Sequence, residues 1–290
     1  MESLGKAIFD GLVAQSRNNY AEGDYTDSAG FLCCGKCHTR KQHDITLPAF
    51  DDQPERIVRV GIVCECRKKE IEAERAAEER RQFLQRMEFL RRDGITDPAY
   101  LRYTFEQDDN RNPEVSEVCR RYVENWDEMF KDNIGILFYG GVGTGKSYLA
   151  CCIANALIEK LVTVSVTNFP RLLNKLHGFG FGEERQEFID KLQRYKLLVI
   201  DDLGVERDTS YSTEQVYNVI DTRSRSGMPL IVTTNLSMDD LKNPPSLAHS
   251  RIYDRVLEMC PIRLKLVGES RRKTIANERR NKARKLLGME

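Results

Sequence analysis

Gly140-Gly141-Val142-Gly143-Thr144-Gly145-Lys146-Ser147 leaves this chain few folds to choose from. The octet fits G-x-x-x-x-G-K-S, follows the apolar run Ile136-Leu137-Phe138-Tyr139 and leads into a helical stretch, Tyr148 to Lys160. In that order, strand, loop and helix let backbone N–H groups curl around phosphates, while the helix N-terminus adds a favourable field. Lys146 is then expected on the β and γ phosphates of a nucleoside triphosphate, and the Ser147 hydroxyl on Mg²⁺.

The alternation continues. Apolar runs at 134–139, 162–167, 197–200, 230–234 and 262–266 read as buried strands with helical stretches between them, which predicts a mostly parallel sheet covered on both faces. The third run ends in Asp201-Asp202, about 55 residues after the loop. Asp201 is expected to hold Mg²⁺, directly or through water, and Asp202 to orient or deprotonate the attacking water. Standing alone, such a pair serves equally well as a turn or helix cap. The fourth run ends in Thr233-Thr234-Asn235, where the amide either bridges the water and the γ-phosphate or simply forms a turn. Downstream lie Ser250-Arg251-Ile252-Tyr253-Asp254-Arg255 and Gly268-Glu269-Ser270-Arg271-Arg272. Their guanidinium groups suit the neutralising of charge on a transferring phosphoryl group, in cis or from a neighbouring subunit, as well as ordinary surface salt bridges.

At 290 residues the chain accommodates a core domain of about 150 to 200 residues plus an appendage. Its 45 basic and 45 acidic side chains cancel, so a nucleic-acid role must come from a local patch. One patch follows the last run: Arg271, Arg272, Lys273, Arg279, Arg280, Lys282, Arg284 and Lys285 outnumber Glu278 and Glu290. It reads as a basic helix for the phosphates of single-stranded DNA or as a solvated tail. No run approaches 18 apolar residues and residues 1–20 lack a leader pattern, so a cytoplasmic protein without membrane contact is expected.

Five of the nine cysteines fall between Cys33 and Cys66. Cys34-Gly35-Lys36-Cys37 pairs with Cys64-Glu65-Cys66, and two such thiolate pairs can close a tetrahedral structural Zn²⁺ site in a segment too small to build a core. Cys33, His38 and His43 are spare candidate ligands. Cys119, Cys151, Cys152 and Cys260 lie in apolar surroundings and read as packing residues. Between the cysteines and the sheet region, residues 67–92 form a Glu-, Arg-, Lys- and Ala-rich run with Phe83, Leu84, Met87 and Leu90 at helical spacing, ended by Asp93-Gly94. The expected division is therefore a zinc-binding N-terminal domain over 1–66, a linker helix over 67–94 and an ATPase domain over 95–290. Tyr122 and Trp126 read as helix core rather than a base-stacking platform, and 179–181 as a loop tip.

Taken together, these motifs resemble the DnaC/IstB-like branch of the AAA+ ATPases over roughly residues 95–280. The resemblance implies an α/β AAA+ P-loop fold with a five-stranded parallel sheet and a reduced lid, behind a small zinc-binding N-terminal domain and a linker helix. It implies a catalytic role for Asp202, a strand-end sensor at Asn235, an arginine finger at Arg255 offered to a neighbouring subunit's ATP, and a second sensor at Arg272. It also implies slow, partner-stimulated ATP hydrolysis and the loading of a replicative helicase onto single-stranded DNA, with the zinc segment engaging the helicase. Alternatives are an IstB-like transposition helper and a non-catalytic adaptor switched by ATP; the zinc segment speaks for the loader.

Overall fold

The computed structural model describes residues 20–49, 54–179, 183–204 and 209–289. Of the expected loop tip at 179–181 only Phe179 lies among them, and Val205 and Glu206, which follow the Asp201 motif, lie outside. The chain divides into two compact units, Met1–Leu84 and Gln85–Glu290.

In the first unit, β1 (Tyr25–Thr26) pairs antiparallel with β2 (Leu32–Cys33), and β3 (Gln42–Leu47) with β4 (Arg56–Gly61). Among the described residues of this unit only Cys33, Cys34, Cys64 and Lys41 are buried, so no apolar core holds the hairpins. Polar ties take part of that role: Lys41 is ion-paired with Asp24 at 2.6 Å, and Arg59 lies over the Phe31 ring while pairing with Asp44. The helix α1 (Glu65–Gly94) runs across the division between the units. Its composition favours helix without tertiary help, and Arg67 with Glu70 and Arg81 with Glu78 add pairs one turn apart. Its apolar stripe is buried only at Leu90, with Phe83 and Leu84 exposed. Gly94 closes the helix by necessity, because a Cβ there would stand 1.8 Å from the Val164 carbonyl oxygen.

The second unit is built on one sheet. Its strands are β5 (Ile136–Gly140), β6 (Val164–Asn168), β7 (Leu197–Leu203), β8 (Leu230–Thr234) and β9 (Ile262–Leu266), all parallel, in the order β6-β7-β8-β5-β9. Alternate residues of each central strand enter different cores: Ile136 and Phe138 face one way and Leu137 the other, as do Leu197 and Val199 against Leu198 and Ile200. Both faces being covered explains why these strands read as unbroken apolar runs. One face carries α2 (Pro113–Glu124), α3 (Trp126–Lys131) and α4 (Lys146–Glu159), which bury Cys119, Tyr122, Trp126, Cys151 and Cys152. The other carries α5 (Phe169–Gly178), α6 (Glu183–Arg194), α7 (Ser210–Ser226), α8 (Met238–Lys242) and α9 (Leu247–Met259), and Cys260 is buried there. After β9 the described residues hold the helix α10 (Arg271–Leu286), basic and largely exposed.

Three strands differ from the apolar runs: β6 (Val164–Asn168) begins and ends later than 162–167, the Val162 N–H going to the Leu157 carbonyl. β5 starts at Ile136, because Ile134 and Gly135 turn their N–H groups to Met129 and Met259 carbonyls instead of the ladder. β7 continues to Leu203, which places the carboxylate pair inside the strand rather than beyond it.

Candidate functional site

The loop after β5 depends on glycine at three points. Gly140, Gly143 and Gly145 have φ of 135°, 79° and 108°, a region open to glycine at little cost. Gly145 is also the N-cap of α4, with no side-chain cap, so the first N–H groups of α4 point out of the helix into the loop. Thr144 Oγ1 closes the loop by donating to the Gly141 carbonyl at 3.0 Å. The buried Lys146 ammonium donates to the carbonyls of Gly140 (2.9 Å) and Gly141 (2.7 Å) and to Asn235 Oδ1 (2.8 Å). Burial lowers its pKa, against the opposing charges of Asp202 and Asp201.

The carboxylate pair is shaped by a slip in register between β7 and β8 at Ile200 and Leu203. Two fully buried threonines of β8 fill the gap in the ladder. Thr233 Oγ1 accepts the Asp202 N–H at 3.0 Å and donates to Asp201 Oδ1, while Thr234 Oγ1 donates to the Leu203 carbonyl at 2.7 Å. Asp202 takes φ 61° as a result. Its carboxyl pKa is raised, first by burial and then by the charge of Asp201, with Lys146 and Arg272 acting against. The two neighbouring carboxylates therefore have different environments, one locked by hydrogen bonds and the other turned into the cleft.

These groups meet in one cleft of about 590 Å³ at the carboxyl ends of the strands, the usual ligand position of an open parallel sheet. Lys146, Ser147, Asp201, Asp202, Asn235 and Arg272 all line it. Both adjacent arginines line the cleft, and they differ in partners and exposure. Arg271 is clasped by Asp109, and its backbone N–H donates to the Gly143 carbonyl. Arg272 is the exposed one of the two. Arg255 is not in the cleft: it projects from α9, pairing with Glu258 at 3.0 Å and lying 3.6 Å from Asp221. The donor set fits a Mg²⁺ nucleotide. The Ser147 hydroxyl and the Asp201 carboxylate are hard oxygen ligands for the cation, and Lys146 with the α4 N-terminus offers the phosphates positive charge.

In the first unit the Sγ atoms of Cys34, Cys37, Cys64 and Cys66 all lie within 4.8 Å of one another. A tetrahedron with Zn–S bonds of about 2.3 Å has edges of about 3.8 Å, which the Cys34–Cys66 (3.5 Å) and Cys64–Cys66 (3.3 Å) separations approach. The donors fit zinc. Backbone N–H groups of Cys37 and Lys36 lower the Cys34 pKa, and the Thr39 hydroxyl holds Cys37 down at about 5. The neighbouring Cys64 and Cys34 push Cys66 up to about 12. The spare candidates point elsewhere: Cys33 Sγ lies toward the Phe31 carbonyl, His38 packs on Tyr25, and His43 sits in β3 opposite Val60.

Sequence reasoning missed Thr233 as the support of both aspartates, and Tyr100, whose hydroxyl donates to Asp201 Oδ2 at 3.1 Å. Thr233 was visible as the residue two before Asn235, but its partners were not.

The family model described as IstB-like ATP binding protein matches residues 71–279. The replicative helicase loader DnaC of Escherichia coli (strain K12) is 28% identical over 140 residues, 48% of this chain and 55% of that protein. The replicative helicase loader DnaI of Bacillus subtilis (strain 168) is 27% identical over 183 residues, 58% of each chain. The chain thus spans a little over half the length of these curated relatives. A crystal structure of DnaI aligns with a TM-score of 0.52 at 22% identity, covering 61% of this chain and 95% of that one, a likeness of fold.

Proposed function

The chain belongs to the IstB-like ATP-binding protein family, and on that premise we propose that it is an ATPase of DNA replication that binds a replicative helicase and loads or remodels it on single-stranded DNA. The observation that carries the ATPase half is the single cleft shared by Lys146, Ser147, Asp201, Asp202 and Asn235. ATP lies with its phosphates over the loop, held by Lys146 and the α4 N-terminus. Ser147 and Asp201 hold Mg²⁺, which supplies charge neutralisation at the phosphates. Asp202 accepts the proton of the attacking water, and Asn235, tied to Lys146, orients that water toward the γ-phosphate. Arg272 adds charge from within the same subunit. Arg255, outside its own cleft on α9, serves the ATP of a neighbouring subunit, so turnover depends on assembly.

The helicase half is supported by the two relatives whose names are replicative helicase loaders. In this reading residues 1–66 form a module holding one structural Zn²⁺ through Cys34, Cys37, Cys64 and Cys66. Residues 67–94 link it to the ATPase over 95–290, and α10 contacts the DNA backbone. The protein works in the cytoplasm; among the described residues no helix is long and apolar enough to cross a membrane. The test is a pair of variants. Lys146→Ala should lose nucleotide binding, whereas Asp202→Asn should bind ATP, fail to hydrolyse it and stall helicase loading. Undiminished loading by Asp202→Asn would mean that ATP is only a bound switch.

A further inference from the structure

Both oxygens of Asp201 accept a hydrogen bond. Oδ1 is bound by Thr233, which is wholly buried, and Oδ2 by the Tyr100 hydroxyl, which lines the cleft. Oδ2 is therefore the oxygen on the cleft side. Tyr100 belongs to none of the motifs that mark the site. It stands 101 residues before Asp201 on a short 3-10 turn, Tyr100–Arg102, that precedes the sheet.

That turn is fastened to the helix that begins at the phosphate loop. Asn155 on α4, itself buried, donates from Nδ2 to the carbonyls of Tyr100 (2.8 Å) and Tyr103 (2.9 Å). Tyr148, about two helical turns nearer the loop, donates its hydroxyl to the Thr104 carbonyl at 2.6 Å. The Tyr103 ring packs between those of Tyr100 and Tyr148, with centroids 6.0 and 5.0 Å away. The hydroxyl on Oδ2 is thus aimed by a rigid segment whose position is set by α4.

We infer that Tyr100 is a positioning residue for the metal-binding aspartate, fixing the cleft-side oxygen of Asp201 relative to Ser147 at the start of α4. An oxygen with two lone pairs can accept the phenol and still face a cation, and the phenol prevents the carboxylate from rotating away. Ser147 lies on α4 and Asp201 on β7, and without Tyr100 only the Thr233 bond sets the carboxylate's angle to the loop. Hydrogen-bond partners of metal ligands commonly change metal affinity 10- to 100-fold when removed. The inference rests on the Mg²⁺-ATP reading of the cleft and adds to it a residue that senses the placement of the phosphate-loop helix.

The experiment compares the full chain with Tyr100→Phe, which keeps the ring and removes only the hydroxyl. Binding of a fluorescent ATP analogue is followed in EDTA and then against Mg²⁺, and thermal unfolding checks that the fold is kept. The expected result is a Mg²⁺ midpoint raised about tenfold, affinity in EDTA within about twofold of wild type, and turnover largely restored at high Mg²⁺. An unchanged midpoint would overturn the proposal. So would an equal loss of affinity with and without Mg²⁺, since that is the signature of a packing residue. A wild-type chain whose nucleotide binding ignored Mg²⁺ would instead remove the Mg²⁺-ATP reading itself, and the inference with it.

Discussion

Asp202 sits at φ 61°, a backbone conformation that Asp and Asn tolerate better than most side chains. Asp202→Asn is therefore a clean removal of the proposed base, whereas Asp202→Ala would add backbone strain to the chemical loss. Turnover should fall by about 100-fold or more with ATP affinity kept, as single-turnover assays beside equilibrium binding will show. The same residue sets the pH response. Its pKa is raised from the ordinary carboxylate value of 3.8, and the proposed base would work only when ionised. Turnover should therefore decline as pH falls through that raised value, with an acid limb above the usual carboxylate range in a profile of kcat against pH. Thr233→Val keeps the shape of a fully buried side chain but leaves Asp201 Oδ1 and the Asp202 N–H unpaired. A stability loss of about 1 to 3 kcal/mol in urea unfolding is expected.

Elements differ in how openly the sequence displays them. The five strands were legible because a parallel sheet covered on both faces demands continuous apolar runs, and 230–234 and 262–266 fell on β8 and β9 without change. The phosphate loop was legible because its chemistry is contiguous in sequence. Tyr100 on Asp201 and the threonines across the β7 slip were not, because they are tertiary pairings that no local period announces. The resemblance alone chose Arg272 over Arg271; their difference in partners comes through Asp109, 162 residues from Arg271. Another buried partner set was equally silent. Arg223 on α7 is fully buried and donates to the carbonyls of Tyr195, Lys196 and Pro229, tying the entries of β7 and β8 together. Arg223→Met should cost about 3 kcal/mol or more, since two buried acceptors and one partly buried acceptor lose their donor. Urea unfolding followed by near-UV signal measures it. In the hairpin unit, zinc near one per chain is expected, and Cys37→Ser should lower the content sharply while ATP binding by the other unit persists.

For the whole molecule, the balance of charge leaves specific surfaces, rather than bulk attraction, to decide what it meets. Arg255 is half-exposed on α9 and outside its own cleft, so Arg255→Ala should spare nucleotide binding and abolish the turnover that grows with protein concentration. Equal loss of both would make it a structural residue. The proposed coupling of ATP to DNA and helicase is tested most directly by phosphate release from the full chain. It is measured alone, with single-stranded oligonucleotide, and with a replicative helicase added, using Asp202→Asn as the blank. Slow basal hydrolysis that rises severalfold with these additions is expected. A wild-type rate indifferent to both would contradict helicase loading as its role.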